Sequence, residues 1–148
     1  MRPRIENQGP ELAESDIRSL EARLGRSLPA DYRRFLLETN GGVPVPRDIE
    51  TPGAAQQWSI NVLLGLSRMI ASSNIASVLD DICDTVPPGY LPVAVGDGGE
   101  IILLAIDGAN VGSVVLWQWQ EDDLSSRQRH LYPLAGSFRK FLGSFREL

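Results

Sequence analysis

The chain has 148 residues, of which 43% are hydrophobic and 22% charged, and its formal net charge is −5. This length suits one globular domain with a normal core. The acidic balance argues against direct binding to nucleic acid, because phosphate contacts need a basic surface. No apolar run reaches the roughly 18 residues that a bilayer-spanning helix needs. Cys83 is the only cysteine, which excludes an internal disulfide and a cysteine-based zinc site. We therefore expect a cytoplasmic protein without a membrane partner, present as a monomer or a weak dimer.

The N-terminal ten residues are expected to be a loose arm. Residues 1–10 are polar and lack the apolar run of a signal peptide, so we predict one folded domain over residues 11–148. The first helix of this domain is predicted over residues 14–24, which carry apolar side chains at helical spacing. It should end at Gly25, because glycine readily stops a helix.

The clearest local signal is the stretch LPADYRRFLLETNGG, residues 28–42. Pro29 suits the first position of a helix, where its missing N–H costs nothing. Tyr32, Phe35 and Leu36 share one helical face. The Asn-Gly-Gly that follows readily takes the left-handed conformation that ends a helix. We therefore predict a short amphipathic helix whose aromatic face enters the core.

The middle of the chain alternates between irregular and regular patterns. Residues 43–53 contain three prolines and are expected to form a loop or an irregular edge, since proline cannot donate to a strand ladder. A strand is predicted over residues 58–66, followed by an interrupted helix over residues 67–86. Within that helix, cap-type residues from Ser72 to Asn74 precede an apolar stripe.

A meander of three strands is predicted next, over residues 91–95, 100–106 and 113–119. Asp-Gly pairs in both turns favour hairpins, and the strand 100–106 should lie inside the sheet because it is apolar on both faces. A short extended piece over residues 131–134 precedes a last helix over residues 137–146. These elements predict an α+β fold, with a central, mostly antiparallel sheet flanked by an N-terminal helix pair, a middle helix and a C-terminal helix.

No arrangement of residues predicts an enzyme. Cys83 and His130 are single residues of their kinds and could form a nucleophilic pair. However, Cys83 falls on a predicted helix, and we expect it to be an inert, buried residue. No G-x-S-x-G elbow is present. The glycine-rich turn at residues 96–99 leads into a strand and not into a helix, so we interpret it as a hairpin rather than a phosphate loop.

Two acidic clusters allow three interpretations. Asp80, Asp81 and Asp84 fall on the predicted middle helix, and residues 121–123 form a charged loop. Their carboxylates could be solvated surface, a surface for a basic protein partner, or a metal site. Because no calcium-loop pattern accompanies them, we predict neither a metal nor a cofactor.

Five segments, taken together and in order, resemble the SUKH superfamily, which includes fungal cell-wall-synthesis regulators and many bacterial immunity proteins. The segments are DIRSLEARLGRSLPADYRRFLLETNGG, WSINVLLGLS, YLPVAVGDGGEIILLAI, VGSVVLWQWQED and LAGSFRKFL. The resemblance implies an α+β fold without catalytic residues. For bacterial members it implies an immunity protein that binds and neutralises a toxin delivered by neighbouring cells. Residues 43–57 match nothing in the family and are interpreted as a divergent loop.

The resemblance leaves two functions open. The first is an immunity protein against a cognate toxin of a polymorphic toxin system. Because toxins of such systems are often nucleases, the partner is expected to be basic, and the net charge of −5 would then speed association. The alternative is a non-enzymatic scaffold or regulatory interaction module of the cell-wall-synthesis-regulator type.

The candidate partner-binding surface is acidic and aromatic. Core packing is the favoured interpretation of Trp58, Trp117 and Trp119, although an aromatic side chain near a strand end can also be an interface hot spot. Trp119 is the tryptophan that we place in the interface. The predicted partner-binding residues are Asp97, Glu100, Trp119, Glu121, Asp122 and Asp123.

Overall fold

The structure, a computed structural model, describes residues 2–52, 56–119 and 129–147, without the side chains of residues 71, 119, 129 and 130. The described residues form an α+β fold, as predicted. The helices are α1 (Glu14–Leu24), α2 (Ala30–Thr39), α3 (Ile75–Ile82) and α4 (Phe138–Leu142). The strands are β1 (Arg4–Glu6), β2 (Val43–Val45), β3 (Asp48–Glu50), β4 (Gln57–Leu63), β5 (Tyr90–Gly96), β6 (Ile101–Ala105), β7 (Val114–Trp119) and β8 (Arg129–Ala135). A 3-10 turn, Ala71–Ser73, precedes α3.

Six strands form one antiparallel sheet in the order β3-β4-β5-β6-β7-β8. β6 lies between β5 and β7, and all five of its residues are buried. The position predicted from its unbroken apolar sequence is therefore confirmed. β8 is longer than the extended piece predicted at residues 131–134, because its pairing with β7 begins at Arg129.

The expectation of a loose N-terminal arm is wrong. β1 pairs with β2 in antiparallel register, with Ile5 opposite Pro44. The Gly9 N–H donates to the Asn40 C=O at 3.2 Å. Polar composition concealed this strand, since a short strand is held by its backbone and needs few apolar side chains.

The proline-rich stretch after α2 contains two short strands, β2 and β3. β3 lies at the edge of the six-stranded sheet, which agrees with the predicted irregular edge. Beyond α4, the Arg146 N–H donates to the Asp48 C=O at 2.9 Å. The C-terminal end of the chain thus covers part of an edge that would otherwise offer open backbone groups.

Helices α1 and α2 are neighbours joined by a short connection. α1 occupies the predicted residues and ends at Gly25, which takes a φ of 71°. Arg33 of α2 donates two hydrogen bonds to the carboxylate of Glu14 of α1, at 2.9 and 2.5 Å. These bonds lower the pKa of Glu14 and raise the pKa of Arg33, because each charged group stabilises the charged form of the other.

The start of α2 differs by one residue from the prediction. Pro29 is the N-cap and not the first helical residue, since its ψ of 140° is extended. Asp31 Oδ1 accepts the Tyr32 N–H at 2.8 Å, which satisfies one of the donors that a first turn leaves unpaired. At the other end, Asn40 is the left-handed C-cap, as the sequence predicted.

An aromatic cluster joins α2 to α4. The ring centroid of Phe138 lies 4.7 Å from that of Tyr32 and 5.0 Å from that of Phe35. Phe141 follows at 5.8 Å from Phe138. All four rings are buried, so the predicted inner face of α2 is confirmed.

Two helices are shorter than predicted. α3 begins only after its N-cap Asn74, because the residues before it form a loop and the 3-10 turn. α4 ends at Leu142, four residues early, where Gly143 leaves the helix. Phe145 still reaches the core from non-helical backbone, with its ring 5.3 Å from that of Phe141.

Candidate partner-binding surface

The turn between β5 and β6 carries two of the predicted partner-binding residues, Asp97 and Glu100. The Gly96 N–H donates to the Glu100 C=O at 2.8 Å, so the turn is a hairpin, as predicted. The Glu100 carboxylate accepts the Gly98 N–H at 3.1 Å. Asp97 Oδ2 lies 3.1 Å from a guanidinium nitrogen of Arg47, and both side chains are about half exposed. Such an exposed ion pair is weak and leaves Asp97 available to another cation.

The register of the sheet places the backbone of Trp119 at the same end as this turn. Ile101, the first residue of β6, lies opposite Trp117. β7 therefore continues two residues further, to Trp119, alongside the β5–β6 turn. Three further predicted residues follow on the chain and lie outside the described residues: Glu121, Asp122 and Asp123. Asp97, Glu100 and the backbone of Trp119 thus share one end of the sheet.

Sequence reasoning missed Met69 and Ile70, the most exposed large apolar side chains among the described residues. Met69 is fully exposed and Ile70 is 67% exposed. They lie between β4 and α3, in a stretch that was predicted as part of a helix. We call these two side chains the apolar knob. Their sequence signal is weak, since two adjacent apolar residues in an interrupted pattern fit a buried turn equally well.

Hydrogen bonds fix the backbone of the apolar knob from both sides. The Asn74 side chain accepts the Arg68 N–H at 2.7 Å and donates to the C=O groups of Arg68 and Ile70, at 3.1 and 3.3 Å. The Arg68 guanidinium donates to the Asn7 C=O at 2.6 Å. Its partial burial lowers the pKa of Arg68. Ser67, just before it, takes a left-handed φ of 56°. The loop therefore presents two apolar side chains to solvent on an ordered backbone.

A cleft of about 300 Å³ lies beside the apolar knob. Ile70 lines one side, and Val62 and Val95 of the sheet line the other. The register between β4 and β5 shifts here, at Asn61, and such bulges are common beside functional sites. Val95 precedes Asp97 by two residues, about 7 Å along an extended strand. The cleft and the acidic turn therefore both include residues of β5 or directly after it.

A second groove, of about 720 Å³, runs along the edge strand β8. Its lining residues include Tyr90, Val115, Leu131 and Pro133, and Leu131 is 40% exposed. Pro133 lacks the N–H that an added strand would bind, which limits strand addition at this edge.

Comparison with known proteins assigns the family. Residues 11–144 match the SMI1/KNR4 family (SUKH-1). The chain belongs to the SMI1/KNR4 family. It is similar to the SPbeta prophage-derived uncharacterized protein YokK of Bacillus subtilis (strain 168), with 25% identity over 143 residues that cover 86% of this chain and 71% of that protein. SUKH domains are known immunity proteins, and the SMI1/KNR4 family is generally non-enzymatic.

The Asn-Gly-Gly at residues 40–42, part of the first segment that resembles the family, has a structural function in this SMI1/KNR4 domain. Asn40 is 2% exposed. Its Nδ2 donates to the Pro10 C=O at 2.7 Å and to the Leu66 C=O at 2.9 Å, and its Oδ1 accepts the Leu66 N–H at 2.8 Å. Gly41 follows with a φ of 74°. One side chain thus joins the end of α2 to the N-terminal segment and to the residues after β4.

Two of the tryptophans belong to the core of this SMI1/KNR4 domain. Trp58 and Trp117 are 8% and 3% exposed, so the core interpretation is confirmed for both. The Trp58 Nε1–H donates to Thr51 Oγ1 at 2.7 Å, which satisfies the polar end of a buried indole. For Trp119 the structure describes the backbone only, so its predicted place in the interface stays a prediction.

The expectation that Cys83 is buried is wrong. Cys83 is exposed at the C-cap of α3, because it follows the last buried position of the helix, Ile82. Its Sγ lies 3.4 Å from the Asp80 C=O oxygen and 3.8 Å from an Asp84 carboxylate oxygen. These contacts are a backbone carbonyl and one carboxylate, and neither is the histidine of a Cys–His nucleophilic pair. His130 contributes its backbone to β8, opposite Gln118.

The acidic residues of α3, and Asp84 just after the helix, are surface residues. Asp80 forms an exposed ion pair with Arg23 of α1 at 2.7 Å, and Asp81 and Asp84 are exposed. Within the described part of the chain, no group of three or more His, Cys, Asp or Glu side chains is placed to hold a metal ion. No helix in residues 2–52, 56–119 and 129–147 is both long and apolar enough to cross a membrane.

Proposed function

We propose that this protein is an immunity protein that binds and neutralises a cognate bacterial toxin of a polymorphic toxin system. The observation that carries this proposal is the match of residues 11–144 to a family whose SUKH domains are known immunity proteins. Neutralisation occurs by protein–protein contact in the cytoplasm, without catalysis by this chain.

The toxin is basic, and the acidic end of the sheet contacts it. The chain has a net charge of −5, and the turn with Asp97 and Glu100 lies beside the end of β7. Glu121, Asp122 and Asp123 follow β7 in the sequence. A basic surface, such as the substrate groove of a nuclease, would be attracted to this end and then covered by it. Charge complementarity of this kind mainly raises the association rate.

Co-expression tests the neutralising function directly. A toxin encoded beside this gene, expressed in a sensitive bacterium, should stop growth, and co-expression of this chain should restore it. Binding of this chain to a non-toxic host protein, without rescue from any neighbouring toxin, would instead favour a regulatory interaction module.

Two matched charge-reversal variants test the acidic surface. Asp97→Lys with Glu100→Lys should slow association with the toxin about tenfold or more at low salt, and the difference from wild type should shrink as salt screens it. Asp81→Lys with Asp84→Lys is the control, because it makes the same charge change at exposed positions in the last turn of α3 and just after it. Equal slowing by both variants would leave only a net-charge effect, and an association rate independent of salt would eliminate charge steering.

A further inference from the structure

We propose that the apolar knob, Met69 and Ile70, is the hot spot with which this protein enters an apolar pocket of its toxin. The inference rests on the proposed immunity function and assigns a contact site to it. Met69 is fully exposed and the adjacent Ile70 is 67% exposed, so the two side chains form a contiguous apolar spot, and contiguous exposed apolar surface marks contact sites. Methionine also adapts its shape to irregular binding surfaces.

The order of the loop separates this site from an ordinary exposed side chain. Asn74 and Arg68 hold the knob's backbone through hydrogen bonds of 2.6–3.3 Å. Because these hydrogen bonds fix the backbone of the knob before a partner arrives, little conformational entropy is lost on binding. Preorganised apolar residues surrounded by polar ones match the anatomy of hot spots, where a dry centre is enclosed by a polar rim.

The charges around the knob favour a basic protein over a membrane. A loop that enters an anionic lipid surface usually carries exposed cations. Here the neighbouring cation, Arg68, turns its guanidinium inward to the C=O groups of Asn7 and Asn40. Val95, which lines the cleft beside Ile70, precedes the exposed Asp97 by two residues, and anionic lipids would repel that carboxylate. The pocket that fits this surface is apolar and has a basic residue at its rim.

The same charges disfavour a second copy of the chain as the occupant. Two chains of net charge −5 repel each other. We therefore assign the knob to the toxin, as the apolar centre of a contact whose acidic part on this chain is Asp97 and Glu100.

Equilibrium binding to the purified toxin, made catalytically inactive, tests the assignment. Met69→Ala with Ile70→Ala should weaken binding about 30-fold or more, the loss typical of a hot spot. Val111→Ala is the matched control, since Val111 is 51% exposed on the turn between β6 and β7, and it should bind within twofold of wild type. Leu131→Ala probes the β8 groove in parallel. Both knob side chains are exposed, so thermal unfolding of the double variant should match wild type.

The outcomes separate the hot spot from the proposed function. If the wild-type chain binds the toxin and the knob variant binds less than about fivefold more weakly, the hot spot is overturned and the immunity function stands. The same conclusion follows if only Leu131→Ala loses affinity. A wild-type chain that neither binds nor neutralises the toxin overturns the immunity function, and the hot spot with it. Knob-dependent binding to anionic vesicles, or knob-dependent self-association in sedimentation, would assign the knob to a different occupant and also overturn the proposal.

Discussion

The carboxamide of Asn40 pairs with both backbone groups of Leu66, accepting its N–H at 2.8 Å and donating to its C=O at 2.9 Å. This is the bonding that a neighbouring strand would supply. Leu66 lies beyond the end of β4, and these two hydrogen bonds keep its backbone next to the end of α2. The side chain of Asn40, a residue with left-handed backbone, therefore joins two parts of the chain, at residues 40 and 66, that are 26 positions apart.

Replacement of Asn40 should be among the most destabilising polar substitutions in this chain. Asn40→Ala removes three side-chain hydrogen bonds, worth about 1 kcal/mol each, and places a Cβ-bearing residue without local bonds in left-handed backbone, which costs about 1 kcal/mol more. We expect a loss of about 4 kcal/mol in urea unfolding. Asn40→Gly should lose about 1 kcal/mol less, because glycine adopts this φ freely. Equal losses would show that the φ of 43° does not contribute.

Gly65 should not tolerate a side chain. A Cβ at Gly65 would lie 2.6 Å from both the Asn40 backbone oxygen and its Oδ1, whereas a Cβ at Gly136 would meet no atom within 4 Å. Gly65→Ala should therefore cost about 2 kcal/mol through overpacking. Gly136→Ala, the control, should change the free energy of unfolding by less than about 0.5 kcal/mol. Similar effects of the two substitutions would contradict the close approach of Asn40.

Removal of the Tyr32 hydroxyl should stabilise the protein at neutral pH. This hydroxyl is buried and has no hydrogen-bond partner among the described residues, so it pays a desolvation cost that Tyr32→Phe avoids. We expect the free energy of unfolding to rise by about 1 kcal/mol. Loss of stability in the variant would reveal a partner for the hydroxyl, such as a buried water.

The same hydroxyl should make the protein sensitive to alkali. Burial raises the pKa of Tyr32 above its ordinary value, whereas in the unfolded chain the phenol ionises near pH 10. The unfolded state therefore binds fewer protons above about pH 10, and stability falls as pH rises, by up to about 1.4 kcal/mol per pH unit. In unfolding experiments from pH 9 to 11.5, Tyr32→Phe should lose less stability than wild type. Parallel curves would assign the alkaline loss to other groups.

The aromatic cluster between α2 and α4 should dominate the core. Phe35 is 2% exposed, and its ring lies 5.0 Å from that of Phe138. Phe35→Ala should cost about 3–5 kcal/mol, since it removes a buried ring and leaves a cavity. Leu37→Ala on the same helix is a comparison at a partly buried position and should cost clearly less. A loss below about 2 kcal/mol for Phe35→Ala would mean that the site collapses around the cavity.

Local signals predicted the elements whose ends are set by their own residues. Gly25 and Asn40 end α1 and α2 because both adopt left-handed backbone, and this preference is visible in the sequence. The ends of α4 and β1 depend on tertiary contacts instead. Phe145 enters the core outside any helix, and Ile5 pairs with a residue 39 positions later. Phe145 continues the helical spacing of Phe138, Phe141 and Leu142, so the pattern indicated its burial but not the end of the helix. The pairing of Ile5 has no periodic pattern that a sequence could reveal.

The candidate surface was less predictable than the fold. The apolar sequence of β6 and the Asp-Gly pair before it were enough to place Asp97 and Glu100 in a turn of the meander, because hairpin turns are local features. The exposure of Met69 and Ile70 was not, since burial of a loop side chain depends on which elements pack over it. The prediction that Cys83 is buried failed for the same reason. Ile82 lies in the core and Cys83, the next residue, faces solvent, so an error of one position reverses the result.

The hydrogen bond from Arg68 to the Asn7 C=O joins residues 61 positions apart, and so the shape of the apolar knob depends on the first seven residues of the chain. A protease that trims this N-terminal segment would release Arg68 without touching Met69 or Ile70. We expect such a trimmed chain to keep its core but to pay an ordering cost on each encounter with a partner. Fusion tags and N-terminal processing thus become ways to weaken recognition from a distance.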